Sequence, residues 1–130
     1  MDNSYQISQL TSEISTFNGV IKDNNEKIGR LEDSKIKIIA DQDELSMQKG
    51  AVNQPDLSSE TWQGKHTNDF LDKRENIKQE YNNMMNTQVG ILLDNIANAI
   101  ERLKKANLDL SSSIETNRYR IRQLREMEDD

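Results

Sequence analysis

Apolar residues recur in the first part of the chain at alternating steps of three and four positions. This spacing places them along one side of an α-helix and predicts a helix from about residue 3 to about residue 48. Three polar residues, Asn24, Lys35 and Gln42, occupy positions of the same stripe. Its apolar members are Ile7, Leu10, Ile14, Phe17, Ile21, Ile28, Leu31, Ile38 and Leu45.

The segment from Lys49 to Gly64 is rich in residues that stop or cap helices, among them the single proline, Pro55. It predicts a turn at about residues 49 to 64. The second helix begins either at about residue 59, after a cap formed by Ser58 and Ser59, or at about residue 67, at a cap around Thr67. We favour the earlier start.

The second helical period extends to about residue 127. Between Met84 and Leu93 the apolar face widens and its phase shifts, so we expect either a bend near Gly90 or a break into two helices there. The two periods together predict an all-α fold: an antiparallel two-helix hairpin of long, coiled-coil-like helices, forming one domain over residues 1–130. Beyond the shift the stripe contains Leu93, Ile96, Ile100, Leu103, Asn107, Leu110, Ile114, Asn117, Ile121 and Leu124.

The lengths of the two arms predict an overhang at the C-terminal end. If the hairpin closes around Pro55 to Ser59, Ile7 faces about residues 107 to 110 and the first helix ends there. The last ~15 to 20 residues then project up to roughly 30 Å. We expect three apolar residues of this overhang to lack an intramolecular neighbour and to pack on a helix of another chain: Ile114, Ile121 and Leu124.

Arginines accompany the same overhang. Arg118, Arg122 and Arg125 are expected to flank the contact and to favour acidic residues on the partner. This segment is the most basic part of the chain, but acidic residues follow at Glu126 to Asp130. A solvated helix end is therefore expected rather than a nucleic-acid patch.

Three asparagines, Asn24, Asn107 and Asn117, interrupt the two stripes. A buried asparagine can fix the register or the oligomeric state of a helix pair at a cost in stability. The other interpretation is that these positions are hydrated in a loosely packed hairpin. The sequence leaves both open.

Composition limits the classes of function. The chain has 130 residues, a net charge of −6 and no cysteine, so disulfides and cysteine-ligated metals are excluded and a nonspecific grip on nucleic acid is disfavoured. No apolar run approaches the roughly 18 to 20 residues of a membrane span, and the N-terminal residues lack the features of a secretory signal peptide. We expect a protein that does not span a membrane.

The sequence contains no catalytic constellation. The single histidine, His66, has neither a nucleophile nor enough potential metal ligands near it, and is expected to be an exposed turn residue. Asp41, Asp43 and Glu44 lack the pattern of a calcium loop, and no phosphate-binding glycine loop is present. We expect no catalytic residue, metal or cofactor, and no enzyme.

The only tryptophan, Trp62, begins the triplet Trp62-Gln63-Gly64 in the predicted turn. A W-x-G turn in a helical hairpin of this size resembles the WXG-type small secreted proteins of type VII secretion. The stretch from Asn53 to Tyr81, NQPDLSSETWQGKHTNDFLDKRENIKQEY, is more closely similar to the YwqH-like small α-helical proteins that accompany LXG toxins in Gram-positive bacteria.

The resemblance implies a non-enzymatic partner and targeting factor. Such a protein binds the helical N-terminal LXG domain of a toxin, often with a second small helical protein, and helps to deliver it to the secretion machinery. Trp62 and Gly64 match the motif, and Trp62 is expected either to cap the helices or to anchor a partner. The implied location is the cytoplasm before export, which would proceed without a cleavable signal peptide.

The chain departs from classical members of that group in one respect. Their export signal, a tyrosine followed four residues later by aspartate or glutamate, is missing: Tyr5, Tyr81 and Tyr119 are followed at that spacing by Gln9, Met85 and Gln123. Two other functions are alternatives to the targeting role. One is a cytosolic secretion chaperone that stays behind when its client leaves, and the other is a homo-oligomeric coiled-coil scaffold. The sequence leaves a homodimer open in the absence of another partner.

Overall fold

A computed structural model describes residues 2–48, 50 and 65–129, apart from the side chains of residues 65–67 and 129. Helix α1 spans Ser4–Gln48, helix α2 spans Lys65–Asn83, a π-helical segment spans Met84–Gln88, and helix α3 spans Val89–Asp129. The predicted all-α class is confirmed, and no strand occurs in the described ranges. The predicted W-x-G turn and the cap at Ser58 and Ser59 lie outside them.

The chain divides into two compact units, each of which pairs a part of α1 with a later part of the chain. The first unit comprises residues 1–32 and 98–130, and the second comprises residues 33–97.

In the first unit, α1 begins at a cap formed by Asp2 and Asn3. The Asn3 carbonyl accepts a hydrogen bond from the Ile7 amide at 2.9 Å, while the Asp2 carboxylate accepts the amide of Ser4 at 2.9 Å and also its hydroxyl. These bonds satisfy donors that a helix N-terminus otherwise leaves free. The buried hydrophobic residues of this unit are Ile28, Ile100, Ile114, Ile121 and Leu124.

The start of α1 packs antiparallel against the last turns of α3. The side-chain amide of Asn3 donates to the Leu124 carbonyl at 3.0 Å, and the Asn3 backbone amide donates to the Glu128 carboxylate. Further along the same pair, Asn24 lies opposite Asn107. The N-terminal end of α1 therefore reaches the C-terminal end of α3.

This register overturns the predicted overhang. Ile114, Ile121 and Leu124 are only 5%, 8% and 2% exposed, so the expectation that they lack an intramolecular neighbour is wrong. The prediction placed Asn107 near Ile7, whereas it is bonded to Asn24. The observed register buries the apolar stripe at the end of α3, and each side chain buried there contributes roughly 1.5 to 3 kcal/mol.

In the second unit, α1 again lies antiparallel to the following helices. The Gln42 side chain donates to the Met85 carbonyl at 2.7 Å, and the Tyr81 hydroxyl donates to the Leu45 carbonyl. Among its described residues, Met85 and Ile96 are the buried hydrophobic ones. The described part of this unit therefore has fewer buried apolar side chains than the first unit.

The predicted phase shift coincides with an irregular stretch of helix. The π-helical segment Met84–Gln88 precedes α3, and α3 continues through Gly90 without a break. A π-helical turn contains more residues than an α-helical turn, so it rotates the apolar stripe of the residues that follow. Gln42 binds a carbonyl within this segment and so satisfies a backbone group at the irregularity.

Candidate interaction surfaces

A chain of side-chain amides crosses the first unit. Asn24 is buried and donates to the Asn107 oxygen at 2.9 Å, and Asn107 donates in turn to the Asn25 oxygen at 3.0 Å. Asn117 is half-buried and donates to the Glu13 carboxylate at 2.8 Å. For Asn24 and Asn107 the arrangement fits the register-fixing interpretation, because a shift of the two helices would leave the buried Asn24 amide and the half-buried Asn107 amide without these partners.

A groove lies beside this amide chain, between α1 and α3 of the first unit. Its volume is about 430 Å³. Ile28 is a buried part of its wall, whereas Leu108 is 69% exposed. The lining residues are Asn25, Ile28, Lys104, Asn107, Leu108 and Ser111.

The α3 side of the groove belongs to a strongly basic stretch. Seven of the chain's 17 basic residues, but only two of its 23 acidic residues, lie between Arg102 and Arg125. This stretch therefore carries a formal charge of +5 in a chain whose net charge is −6. Such a contrast creates a local positive potential on an acidic protein.

One side of α3 gathers several of these charges. Positions four and three residues apart lie on the same side of a helix. From Lys104 to Arg125 this spacing defines what we call the basic face: Lys104, Leu108, Ser111, Glu115, Arg118, Arg122 and Arg125.

The basic face keeps most of its positive charge uncompensated. Its single carboxylate, Glu115, pairs with Arg118 at 2.9 Å. The Arg122 guanidinium lies 5.9 Å from the ring centre of Tyr119. Within the described residues, no carboxylate lies within salt-bridge distance of Lys104, Arg122 or Arg125.

The residues predicted to bind a partner thus have different environments. The apolar members Ile114, Ile121 and Leu124 are buried, whereas the arginines Arg118, Arg122 and Arg125 are exposed. Trp62 and Gly64 lie outside the described residues.

The second unit exposes apolar side chains that are not among the predicted partner-binding residues. Ile36, Ile39 and Met47 follow one side of α1 at helical spacing and are 66%, 39% and 84% exposed. They lie outside the half-buried stripe of Ile38, Gln42 and Leu45. Apolar residues outside the predicted stripe are the sequence signal that could have identified them. Further exposed apolar residues of this unit are Phe70, Ile77, Ile91 and Leu92.

The titratable groups of the described residues bear on two features, metal binding and the cap of α1. No group of three or more potential metal ligands occurs among these residues. The Asp2 carboxylate accepts hydrogen bonds from the hydroxyl and the amide of Ser4, and these bonds lower its pKa, the hydroxyl having the larger effect. Such a shift is the usual effect of a helix cap. None of the described helices is long and apolar enough to cross a membrane.

Comparison with known protein families assigns the chain to one of them. The sequence pattern of the YwqH-like family matches residues 5–126. The chain belongs to the YwqH-like family. No curated protein and no solved structure matches it. The predicted resemblance to YwqH-like proteins is thus confirmed for this all-α protein, while the link to WXG-type proteins stays a prediction.

Proposed function

We propose that this YwqH-like protein is a non-enzymatic partner and targeting factor that binds the helical N-terminal domain of an LXG-type toxin. Through this binding it supports type VII secretion of the toxin, together with a second small helical protein in some assemblies. The observation that carries the proposal is the family match, which extends over residues 5–126 and so includes nearly the whole chain.

Exposed apolar side chains on helices support a binding role. In the second unit, α1 presents Ile36, Ile39 and Met47, while Ile77 and Ile91 are more than half exposed. Apolar side chains at helical spacing are the usual means by which one helix recognises another. Covering them would remove apolar surface from water, which favours association.

Trp62 is the second element of the proposal. It forms the W-x-G triplet with Gly64, and an indole is a common anchor in protein interfaces. We assign it to partner binding or to recognition by the secretion machinery. The protein would act in the cytoplasm before export.

Co-expression with the N-terminal domain of an LXG toxin encoded beside this chain would test the proposal. A complex that stays together through affinity purification and size-exclusion chromatography is expected. Deleting the chain in the native bacterium should reduce the toxin in the culture supernatant without lowering its transcript. Failure of both measurements would reject the proposed function.

The same experiments separate the rival functions. A targeting factor exported with its client appears in the supernatant beside the toxin, whereas a cytosolic chaperone is retained in the cell. A homo-oligomeric scaffold forms a stable oligomer alone and does not exchange it for the toxin domain.

A further inference from the structure

We propose that the basic face of α3 and the adjoining groove bind an acidic amphipathic helix of a partner protein. The assignment of this helix to the toxin's N-terminal domain rests on the proposed function above. The surface itself is inferred from charge, shape and spacing within the first unit.

Charge is the first argument. Lys104, Arg122 and Arg125 have no carboxylate partner in the described residues. The one ion pair of the basic face, Arg118 with Glu115, lies within α3, so these cations do not hold α1 and α3 together. A partner with carboxylates opposite them would be attracted to this face and oriented on it.

The groove is the second argument. At about 430 Å³ it falls within the range of roughly 300 to 1,000 Å³ that is usual for binding clefts. Ile28 and Leu108 supply apolar surface. Asn107 donates to the Asn25 oxygen at 3.0 Å, so these two groups are already hydrogen-bonded to each other and would keep that bond when an apolar side chain enters the groove.

Spacing identifies the partner as a helix. The basic face runs from Lys104 to Arg125, which corresponds to roughly 32 Å along α3. Its positions alternate by four and three residues, the pattern by which one helix follows another. Cations lie towards both ends, while Leu108 and the small Ser111 border the groove. An apolar side chain of the partner would enter the groove, and its carboxylates would lie opposite the cations.

Nucleic acids also bind cationic surfaces, but the basic face is poorly suited to bind them. Glu115 lies in the middle of the basic face, and Glu126 and Glu128 follow its end. Phosphates would be repelled by these carboxylates and by the chain's net charge of −6. An apolar groove would gain nothing from a phosphate backbone.

Two charge-reversal variants provide a matched test. Lys104→Glu with Arg122→Glu alters the basic face, whereas Arg102→Glu with Arg120→Glu makes the same change in net charge on the same helix. Each control position is two residues away from a test position, which places it roughly 200° around the helix. All four residues are exposed, so circular dichroism should show that both variants fold.

The two variants are compared by their affinity for the toxin's N-terminal domain, measured by isothermal titration calorimetry. The basic-face variant should bind at least tenfold more weakly than the wild type, and the control variant less than threefold more weakly. Raising the salt concentration should reduce this difference, because salt screens exposed charges. Equal losses in the two variants would show a general charge effect and reject the proposed surface.

A second pair of variants tests the groove independently of charge. Ser111→Trp fills the groove, while Ser113→Trp places the same side chain on another side of α3. Ser111→Trp should weaken binding at least tenfold, and Ser113→Trp should have little effect. Unchanged binding by Ser111→Trp, with normal helix content, would exclude the groove from the interface.

A synthetic probe separates failure of the surface from failure of the proposed function. The probe is a 28-residue amphipathic peptide with leucine at its core positions and glutamate beside them, and its control carries lysine in place of glutamate. If the toxin domain does not bind and deletion of the chain leaves toxin secretion unchanged, the function is rejected. The glutamate peptide should even then bind the wild type at least tenfold more tightly than the basic-face variant. No such preference, tighter binding of the lysine peptide, or tighter binding of a 30-nucleotide DNA or RNA would overturn the proposed surface.

Discussion

Replacing Leu124 by alanine tests the register that pairs the two ends of the described chain. Leu124 is 2% exposed, and its carbonyl accepts the Asn3 side chain at 3.0 Å. Truncation of a buried leucine costs about 2 to 5 kcal/mol. A seam between two helices is open at its sides and can relax, so we expect the lower part of that range, about 2 to 3 kcal/mol. This is a large share of the roughly 5 to 15 kcal/mol that stabilises an ordinary domain.

Met127→Ala is the matched control. Met127 lies three residues later on the same helix and is 61% exposed, so its truncation should change stability by no more than about 0.5 kcal/mol. Urea unfolding followed by circular dichroism at 222 nm compares the three proteins. A lower midpoint at unchanged slope is expected for Leu124→Ala alone. Equal midpoints would mean that Leu124 is not buried in solution, and the overhang first predicted from the sequence would regain its basis.

Four further changes probe other parts of the protein. Deleting residues from Ser113 onward should also unfold the start of α1, because the deletion removes the buried stripe against which α1 packs. Circular dichroism combined with hydrogen exchange would detect this loss of helix, and an α1 that stays fully protected from exchange would contradict the prediction. Asn107→Ala should destabilise by about 1 to 3 kcal/mol, measured by urea unfolding, and Asn24→Leu in the same chain should recover part of the loss; a second variant no more stable than the first would argue against a buried amide. Asp2→Ala should lower thermal stability at neutral pH, but the difference should vanish as the pH falls below about 4 and through the lowered pKa of the wild-type carboxyl; a difference independent of pH would refute the cap. Trp62→Ala should reduce binding of the toxin domain or export more than it reduces helix content, and equal losses would indicate a purely structural role.

The sequence pattern predicted the class of fold because a helical period depends only on local spacing. The stripe of α1 begins near Ile7 and ends near Leu45, and the helix that contains it spans Ser4–Gln48. The register was not accessible by the same means. A stripe that repeats every seven residues looks nearly the same after a shift of whole heptads, and the predicted and observed pairings of Asn107 differ by about two of them.

The observed register is distinguished by specific polar pairs rather than by the apolar period. Asn24 meets Asn107, and Asn3 meets the end of α3. The sequence alone leaves the role of the asparagines open, because burial and pairing depend on which residues face each other. The groove could not be predicted from the sequence either, because its walls come from residues of α1 and α3 that lie far apart in the chain.

The charged residues of the first unit have a different role from its apolar residues. In the first unit, the apolar stripe and the amide chain already join α1 to α3, and no ion pair between these helices occurs in its described residues. The cations of the basic face are therefore not required to hold the fold together. Exposed like charges repel one another and lower the stability of a compact state. Their concentration beside a groove is more readily explained by an anionic partner than by the folding of the chain itself.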